Sequence, residues 1–472
     1  MSAHPAAHPT AHPYMANSAP DSKQALLDAV GVADAEPLFA QIPADHRSDA
    51  LIEQRPGIRS EQQLRRMLEG RLRGGISTDT HLSFLGGGYW KHGIPALCDE
   101  IASRPELSLS VWGTPSSDHG RNQIWFEWAS QLGALLDLDF VGLPVYSWGC
   151  AAGHALRMAA RLTGRSVVVV PSNLDRERRL VIDTYCGYRE LTGALTVREV
   201  AVDAATGTIL PAALAEVLDD QVAAVYLETP NSWGVIETAM ADLIAAAHQH
   251  GAEVIVGVDP ISLGALASPA SSGADILVGS LQPMGIPLYA GGGVGGFIAS
   301  RDEERYARQF PTLQVSIAPT RVEGQHAFGL TLFEQSSYGS RELGNDWTGN
   351  SVYLWTVRNA VFLALLGPAG MRELAETVVA NARQSARLIA ELPGVSVRYA
   401  DGIFKEFIVD FSATGKSVAE INAGLLERGI LGGHDLSGTH DGLDGCALYC
   451  VTEGVTEDDI RELTAALKEV LA

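Results

Sequence analysis

Lysine is the scarce residue of this chain of 472 residues. The sequence contains five of them: Lys23, Lys91, Lys405, Lys416 and Lys468. None lies between Lys91 and Lys405, so the long central part of the sequence has no side-chain amine to offer. Schiff-base catalysis requires such an amine. The sequence therefore predicts a central region that cannot carry out this chemistry by itself.

Positive charge, long apolar runs and paired cysteines are also lacking. The formal net charge is −22, which argues against a nucleic-acid or anionic-membrane partner, since both require a basic face. No apolar run reaches the roughly 20 residues of a membrane span, and the N-terminus has neither a basic nor an apolar signal-peptide region. Five scattered cysteines favour a reduced, cytoplasmic protein over a disulfide framework.

The length predicts more than one domain. Residues 1–21 repeat Ala-His-Pro three times, which favours a disordered tail over a metal site because proline at this density blocks regular structure. Residues 22–80 are predicted to form a helical arm that packs on a larger body or on a second subunit. Residues 81–345 are predicted to form a large domain, and residues 346–472 a linking helix with a small C-terminal α/β domain.

The central part alternates between apolar strands and amphipathic helices. Continuous apolar strands are typical of a mainly parallel sheet with helices on both faces. Ligands bind such sheets at the carboxyl ends of the strands. Three polar residues follow predicted strands there, namely Asn231, Asp259 and Gln282, and they are the first candidates for a binding site.

Three further motifs have two interpretations each. The turn 148–153 opens a helix, and the backbone of Gly149, Cys150 and Ala151 could hold a phosphate there; a purely structural turn fits equally well. The glycines at 291, 293 and 296 match G-x-G-x-x-G but precede a strand, which argues against dinucleotide binding. Four potential metal ligands lie close together in the sequence, namely His434, His440, Cys446 and Cys450. The two cysteines fall in an apolar strand, which favours buried thiols and loop histidines over a metal site.

Several blocks of sequence resemble one family over residues 22–472. They include SFLGGGYWKHGIPALCDEIASR, PNSWGVIE, VGVDPISLG, SLQPMGIPLYAGGGVGGF and LLGPAGMRELAE. The family is the N-terminal subunit of glycine dehydrogenase (decarboxylating), the glycine cleavage system P-protein in its two-subunit bacterial form. The resemblance implies an α/β fold of the fold-type I pyridoxal-phosphate (PLP) transferases, which are aspartate aminotransferase-like.

The resemblance also implies where the cofactor lies. In such a heteromer, most simply α2β2, the Schiff-base lysine belongs to a homologous second subunit, and Gln282 occupies its position here. PLP would then be bound covalently on the partner and not on this chain. Asp259 matches the carboxylate that pairs with the pyridinium nitrogen. The implied cofactor contacts, vestigial or shared with the partner, are Gly149, Cys150, Ala151, Asn231, Asp259 and Ser280.

The activity implied is decarboxylation of glycine with transfer of the aminomethyl group to a lipoyl carrier protein. Two segments depart from the family pattern. Segment 112–118 keeps only Thr-Pro of the family's Tyr-Thr-Pro-Tyr-Gln-Pro-Glu. Segment 346–351 replaces the family's Thr-Ser-Asn-Ile-Cys-Thr.

These departures predict a substrate site diverged toward another amino acid, with Thr114, His119 and Arg121 as its contacts; a solvated polar loop is the alternative. Turn-forming residues predict a loop over 113–120, followed by a helix from about Asn122. For the whole chain, the alternative is a non-catalytic scaffold that stabilises a lysine-bearing partner; the lysine count argues against a self-sufficient PLP enzyme.

Overall fold

A computed structural model describes residues 14–47, 58, 60–107, 115–187, 193–288, 295–331 and 352–472. The side chains of 16, 106, 115–120 and 331 fall outside this description. The chain divides into two compact units, Met1–Gly75 and Ile76–Ala472. Most of the predicted disordered tail, residues 1–13, lies outside the described residues, as does the predicted domain boundary at 345.

The described part of the first unit contains two α-helices, α1 (Pro20–Val30) and α2 (Glu61–Leu72), and the helical arm over 22–80 stays a prediction. The hydroxyl of Ser60 caps α2 by accepting a hydrogen bond from the backbone N–H of Gln63. Neither helix has a buried side chain, and Leu26 and Leu68 are about half exposed. The helices therefore form no hydrophobic core of their own.

The second unit contains a seven-stranded sheet and a four-stranded sheet. The strands of the unit are β1 (Leu82–Ser83), β2 (Phe140–Val141), β3 (Val167–Pro171), β4 (Thr196–Val200), β5 (Val222–Thr229), β6 (Glu253–Val258), β7 (Ile276–Ser280), β8 (Gly296–Ser300), β9 (Gln314–Pro319), β10 (His326–Thr331), β11 (Ser396–Arg398), β12 (Glu406–Asp410), β13 (Ile430–Leu431), β14 (His434–Asp435) and β15 (Cys446–Cys450).

Its helices pack around these sheets, and short 3-10 turns complete the connections. They are α3 (Ala96–Ala102), α4 (Pro115–Leu136), α5 (Trp148–Thr163), α6 (Arg176–Cys186), α7 (Pro211–Val217), α8 (Met240–Gln249), α9 (Glu304–Ala307), α10 (Trp355–Ala390), α11 (Val418–Leu426) and α12 (Glu457–Leu471).

The large sheet has the strand order β2-β8-β7-β6-β5-β3-β4. Pairing is parallel from β7 to β4, while β8 runs antiparallel to β7 and β2 antiparallel to β8. Every residue of β5 and β7 is buried, because helices cover both faces of a sheet of this kind. The predicted mainly parallel sheet is confirmed, and its parallel strands end at one common edge.

The small sheet is antiparallel, with the order β11-β12-β15-β14. Capping boxes start the two helices beside it, with Ser417 at α11 and Thr456 at α12. Helix α10 precedes this sheet and is broken at Gly367, whose φ of 57° is followed by a proline. These elements lie where the sequence predicted a linking helix and a small C-terminal domain; residues 76–472 form one compact unit, and the division at 345 stays a prediction.

The structure corrects the expected start of one helix. The sequence predicted a loop over residues 113–120 and a helix from about Asn122, but α4 already begins at Pro115. Proline is well tolerated in the first turn of a helix, where its missing N–H costs nothing. All five cysteines are buried and free of disulfides. Within the described ranges, no helix has both the length and the apolarity needed to cross a membrane.

Candidate functional site at the carboxyl edge of the large sheet

The predicted strand-end residues meet at one edge of the large sheet. Asn231 follows β5, Asp259 follows β6, and both line the same small cavity of about 20 Å³. Such a volume holds about one water molecule. Other side chains that line the cavity come from distant parts of the second unit: Trp90, Trp148, Arg178, Lys405 and Glu406.

A lysine from the C-terminal part of the chain fills this site. The Nζ atom of Lys405 lies 2.5 Å from Oδ2 of Asp259, and both side chains are almost fully buried. The expectation that the site would contain no amine is therefore wrong. The residue arrives from the start of β12, far along the chain from β6, and stands at Asp259 instead of at the position of Gln282.

The Lys405 ammonium continues into a buried chain of hydrogen bonds. Its Nζ lies 3.1 Å from Nε2 of His92, and Nδ1 of the same ring lies 2.8 Å from Oε2 of Glu453. An ammonium can only donate, so Nε2 accepts and Nδ1 carries the proton that is donated to Glu453. This arrangement places a neutral imidazole between the cation and the second carboxylate.

Glu453 is held ionised at the end of this chain. Burial would raise the pKa of its carboxyl, but the hydrogen bond from His92 opposes this rise. The backbone N–H of Gly93 adds a further hydrogen bond of 2.6 Å, and together these interactions lower the pKa to about 2. The carboxylate therefore stays charged over the whole range in which proteins normally fold.

Two neighbours complete the surroundings of the lysine. The indole of Trp90 lies below the ammonium, with its ring centroid 3.4 Å from Nζ, which is a favourable cation–π geometry. Glu406 is also buried and accepts a hydrogen bond of 2.7 Å from the N–H of Gly87. Burial raises the pKa of Glu406, while the charge of Lys405 and this hydrogen bond oppose the rise.

A second buried cation stands beside the first. Arg178 pairs with Glu228 at 3.1 Å, and the Tyr226 hydroxyl donates to the same carboxylate oxygen at 2.7 Å. The indole N–H of Trp148 donates in turn to the Tyr226 hydroxyl at 3.0 Å, and the guanidinium carbon lies 4.0 Å from the Trp148 ring centroid. Burial raises the pKa of Glu228, and the charge of Arg178 opposes this. The arginine is thus already neutralised within the chain.

The proposed phosphate turn forms the first turn of α5. The Ser147 hydroxyl accepts from the N–H of Cys150 at 3.2 Å, so part of the turn's donor capacity is already used. A Cβ on Gly149 would lie 3.0 Å from Cβ of Val181, which shows that this glycine lets α5 and α6 pack closely. Ala151 is fully buried. The cavity in front of the turn, about 190 Å³, is lined by Asp175, Glu177 and Arg178 among other residues.

The remaining strand-end residues serve the backbone around them. The Asn231 amide donates to the carbonyl of Gly207 at 2.8 Å and accepts from two backbone N–H groups. The Ser280 hydroxyl accepts from the N–H of Gln282, whose own amide donates to the carbonyl of Ile286 at 3.0 Å. These side chains shape the loops at the sheet edge, and a role in cofactor binding stays a prediction.

The predicted substrate residues are divided between described and undescribed parts. Thr114 and segment 346–351 lie outside the described residues. His119 lies in α4, but its side chain is outside the description. Arg121 is 2% exposed, and its guanidinium carbon lies 5.1 Å from the ring centroid of Trp125. It is therefore a buried helical residue and not part of a solvated loop.

The cysteine and histidine cluster is spread over strand and loop. Cys446 and Cys450 bound the buried strand β15, and burial raises the pKa of both thiols. His434 begins β14, while His440 packs edge-on against Trp233. Among the described residues, no group of three or more histidines, cysteines and acids is placed to hold a metal ion. The glycines at 291 and 293 lie outside the described residues.

The family model of the glycine cleavage system P-protein matches residues 12–467. The chain belongs to this family. Relatives named "Probable glycine dehydrogenase (decarboxylating) subunit 1" include one from Chlorobium limicola, 34% identical over 94% of this chain and 97% of the relative. Another, from Desulfitobacterium hafniense, is 32% identical over 95% of this chain and 98% of the relative.

Solved structures agree with this family assignment. A glycine decarboxylase (P-protein) of the glycine cleavage system, in inhibitor-bound form, superposes with a TM-score of 0.84 at 29% identity, covering 98% of this chain and 99% of that one. A sphingosine-1-phosphate lyase of Burkholderia pseudomallei, at 14% identity and a TM-score of 0.61, covers 92% and 94% of the two chains. The latter shows the fold alone, and the predicted fold-type I architecture is confirmed.

The residues of this P-protein family member do not fit PLP at its usual place. The carboxylate that would face the ring nitrogen, Asp259, is paired with Lys405. About 20 Å³ is left beside it, with about 190 Å³ in front of the α5 turn, against several hundred for ordinary ligand pockets. A phosphate would also meet unfavourable charge, because Arg178 is committed to Glu228 and Asp175 lies nearby. With Lys405 in place, the site already contains a cation beside Asp259.

The sequence patterns did not predict three residues of this site, namely Lys405, His92 and Glu453. One signal for them exists. The adjacent Lys405 and Glu406 stand directly before and at the start of β12, and three apolar residues follow them. Charged residues are almost never buried unless they are paired. The pattern indicates that partners exist, but it does not say which residues they are.

Proposed function

We propose that this chain is the subunit that lacks the Schiff-base lysine in a PLP-dependent heteromer that decarboxylates glycine. The homologous second subunit would contribute the Schiff-base lysine and the covalently bound cofactor, and the aminomethyl group would pass to a lipoyl carrier protein. The observation that carries the proposal is the site itself. Gln282 follows the end of β7, and Lys405 forms a buried ion pair with Asp259. A chain with such a site needs a partner to perform PLP chemistry.

Two further features support a heteromer. The relatives that match almost the whole chain are named as subunit 1 of a glycine dehydrogenase. Helices α1 and α2 have no buried side chain, and an amphipathic helix gains most of its stability by packing its apolar face. A second subunit would provide such a surface, with α2β2 as the simplest stoichiometry.

The test is reconstitution of activity. The chain is coexpressed with a lysine-bearing homologous subunit, and carbon dioxide release from glycine is measured with and without a lipoyl carrier protein. We expect turnover that depends on both subunits and on the carrier. A stable complex that releases no carbon dioxide from any amino acid would instead support the alternative of a non-catalytic scaffold.

A diverged substrate is the second element of this proposal. It rests on the departures at 112–118 and 346–351, and Arg121 is the candidate for holding an additional acidic group. Because Arg121 packs on Trp125, the variant of choice is Arg121→Met, which keeps an apolar chain against the ring. The exposed Arg461→Met serves as control.

A substrate role and a structural role of Arg121 give different kinetics. If Arg121 binds a substrate carboxylate, Arg121→Met raises KM for acidic amino acids and leaves that for glycine unchanged. If wild type prefers glycine and the variant keeps its KM and kcat on every substrate, the divergence hypothesis is refuted and the unmodified glycine reaction stands. A loss of stability with no change in KM assigns Arg121 to the packing of α4.

A further inference from the structure

The resemblance assigns Asp259 to the carboxylate that pairs with the protonated ring nitrogen of PLP, and the ammonium of Lys405 pairs with this carboxylate here. Both are cations that pair with the carboxylate at the end of β6. Here the Lys405 Nζ reaches Asp259 at 2.5 Å, while the other oxygen of Asp259 accepts from the N–H of Ile261 at 3.0 Å. The charge of Asp259 is thus compensated from within the chain, while the hydrogen bond from Ile261 goes to the other oxygen and Oδ2 has the ion pair alone.

The surroundings of Lys405 form a complete site for an alkylammonium group. The carboxylate of Asp259, the acceptor nitrogen of His92 and the face of Trp90 surround the Nζ atom at 2.5 Å, 3.1 Å and, to the ring centroid, 3.4 Å. These three partners supply opposite charge, a lone pair and a π face. They compensate the large cost of burying a charge.

We infer that Lys405 is a built-in replacement for the cofactor, an intramolecular ligand that closes the inherited site of this subunit and locks three segments of the second unit together. The segments are the end of β6 with Asp259, the stretch before α3 with His92, and the C-terminal α/β part, which contributes Lys405 and Glu453. Lys405 is therefore a positioning residue and not a dormant Schiff-base lysine.

A Schiff-base role is disfavoured by the same geometry. An amine must be free to attack an aldehyde, whereas the Lys405 Nζ atom is enclosed by Asp259, His92 and Trp90. The inference rests on the geometry of this chain and not on the identity of the substrate. It also explains why a subunit that keeps the Asp259 carboxylate would still bind no cofactor of its own.

Chemical rescue tests the inference directly. Lys405→Ala removes three methylenes and the ammonium, which together correspond to n-propylammonium, and 1-propanol is the uncharged molecule of the same size. The heteromer is prepared with Lys405→Ala, with the exposed control Lys468→Ala, and with Lys405→Ala combined with Asp259→Asn. Thermal unfolding is followed with added propylammonium chloride, sodium chloride or 1-propanol.

We expect propylammonium to raise the unfolding temperature of Lys405→Ala above the value in equimolar sodium chloride. Propanol should have a smaller effect, and neither the double variant nor Lys468→Ala should respond selectively. Equal effects of the three additives on Lys405→Ala would overturn the inference, because they would show that no ammonium site exists at Asp259.

A second measurement needs no variant. The unmodified heteromer, loaded with PLP, is reduced with borohydride and its peptides are mapped by mass spectrometry. We expect a phosphopyridoxyl group on the partner and none on Lys405; a reduced adduct on Lys405 would overturn the inference. Both measurements are independent of glycine turnover, so an inactive heteromer that shows selective rescue would refute the proposed function alone.

Discussion

Removal of either member of the Asp259–Lys405 pair should lower the free energy of unfolding, and the two losses should differ. At 2.5 Å the attraction of two unit charges is about 7 kcal/mol for an effective dielectric constant of about 20. Desolvation of the two ions offsets much of this gain, so the pair as a whole contributes little. Loss of one partner leaves a buried charge uncompensated, which typically costs about 3–5 kcal/mol.

The two single variants differ because their remaining partners differ. In Lys405→Met, the Asp259 carboxylate keeps one short backbone hydrogen bond, from Ile261. In Asp259→Asn, the ammonium keeps the ring nitrogen of His92 and the face of Trp90, and the cation–π contact alone is worth about 2 kcal/mol when it is buried. We therefore expect Lys405→Met to destabilise by about 4 kcal/mol and Asp259→Asn by about 2–3 kcal/mol.

The double variant decides the question. Denaturant unfolding, followed by tryptophan fluorescence, gives the free energy of unfolding for wild type, both singles and the pair. Because the double variant buries no unpaired charge, it should be destabilised by less than the sum of the singles, with a coupling energy of at least about 2 kcal/mol. Additivity within about 0.5 kcal/mol would refute the claim that these two side chains compensate each other.

Two other predictions concern the same region. The pKa of Glu453 falls from 4.5 to about 2, so its stabilisation, up to about 3 kcal/mol, is complete above pH 4.5 and is lost as the pH falls toward 2. In a plot of the free energy of unfolding against pH, Glu453→Gln should therefore reduce the slope between pH 4.5 and 2. The exposed control Glu462→Gln should keep the slope of wild type. Equal slopes for all three proteins would contradict this prediction. Gly234 has a φ of +80°, and a Cβ there would lie 2.0 Å from the carbonyl oxygen of Glu406, so Gly234→Ala combines backbone strain with a clash. The control is Gly429, which has a φ of +77° and open space around it. In denaturant unfolding, Gly429→Ala should lower the free energy of unfolding by about 1–2 kcal/mol, and Gly234→Ala should lower it by about 1–3 kcal/mol more. Equal losses for the two variants would show that the contact with Glu406 is not tight.

Local sequence patterns were sufficient for the architecture. The alternation of apolar strands and amphipathic helices predicted the parallel sheet, because the side-chain period of a helix or strand is written in neighbouring residues. The same patterns placed Asn231 and Asp259 at strand ends, where the fold brings them to one cavity. The start of α4 was predicted too late, since turn-forming residues such as Ser116 and Gly120 can also occupy a helical turn when it packs well.

The sequence by itself determined the family, the order of helices and strands, and the glutamine in place of lysine at the end of β7. Only the tertiary structure decided which charges meet, because Lys405 and His92 are 313 residues apart in the chain and no local pattern records their contact. A lysine count treats every amine outside the central stretch as distant. Burial against Asp259 turned one of those distant lysines into the ion that fills the site, because a charge that leaves water is stable only where a fold supplies its partner.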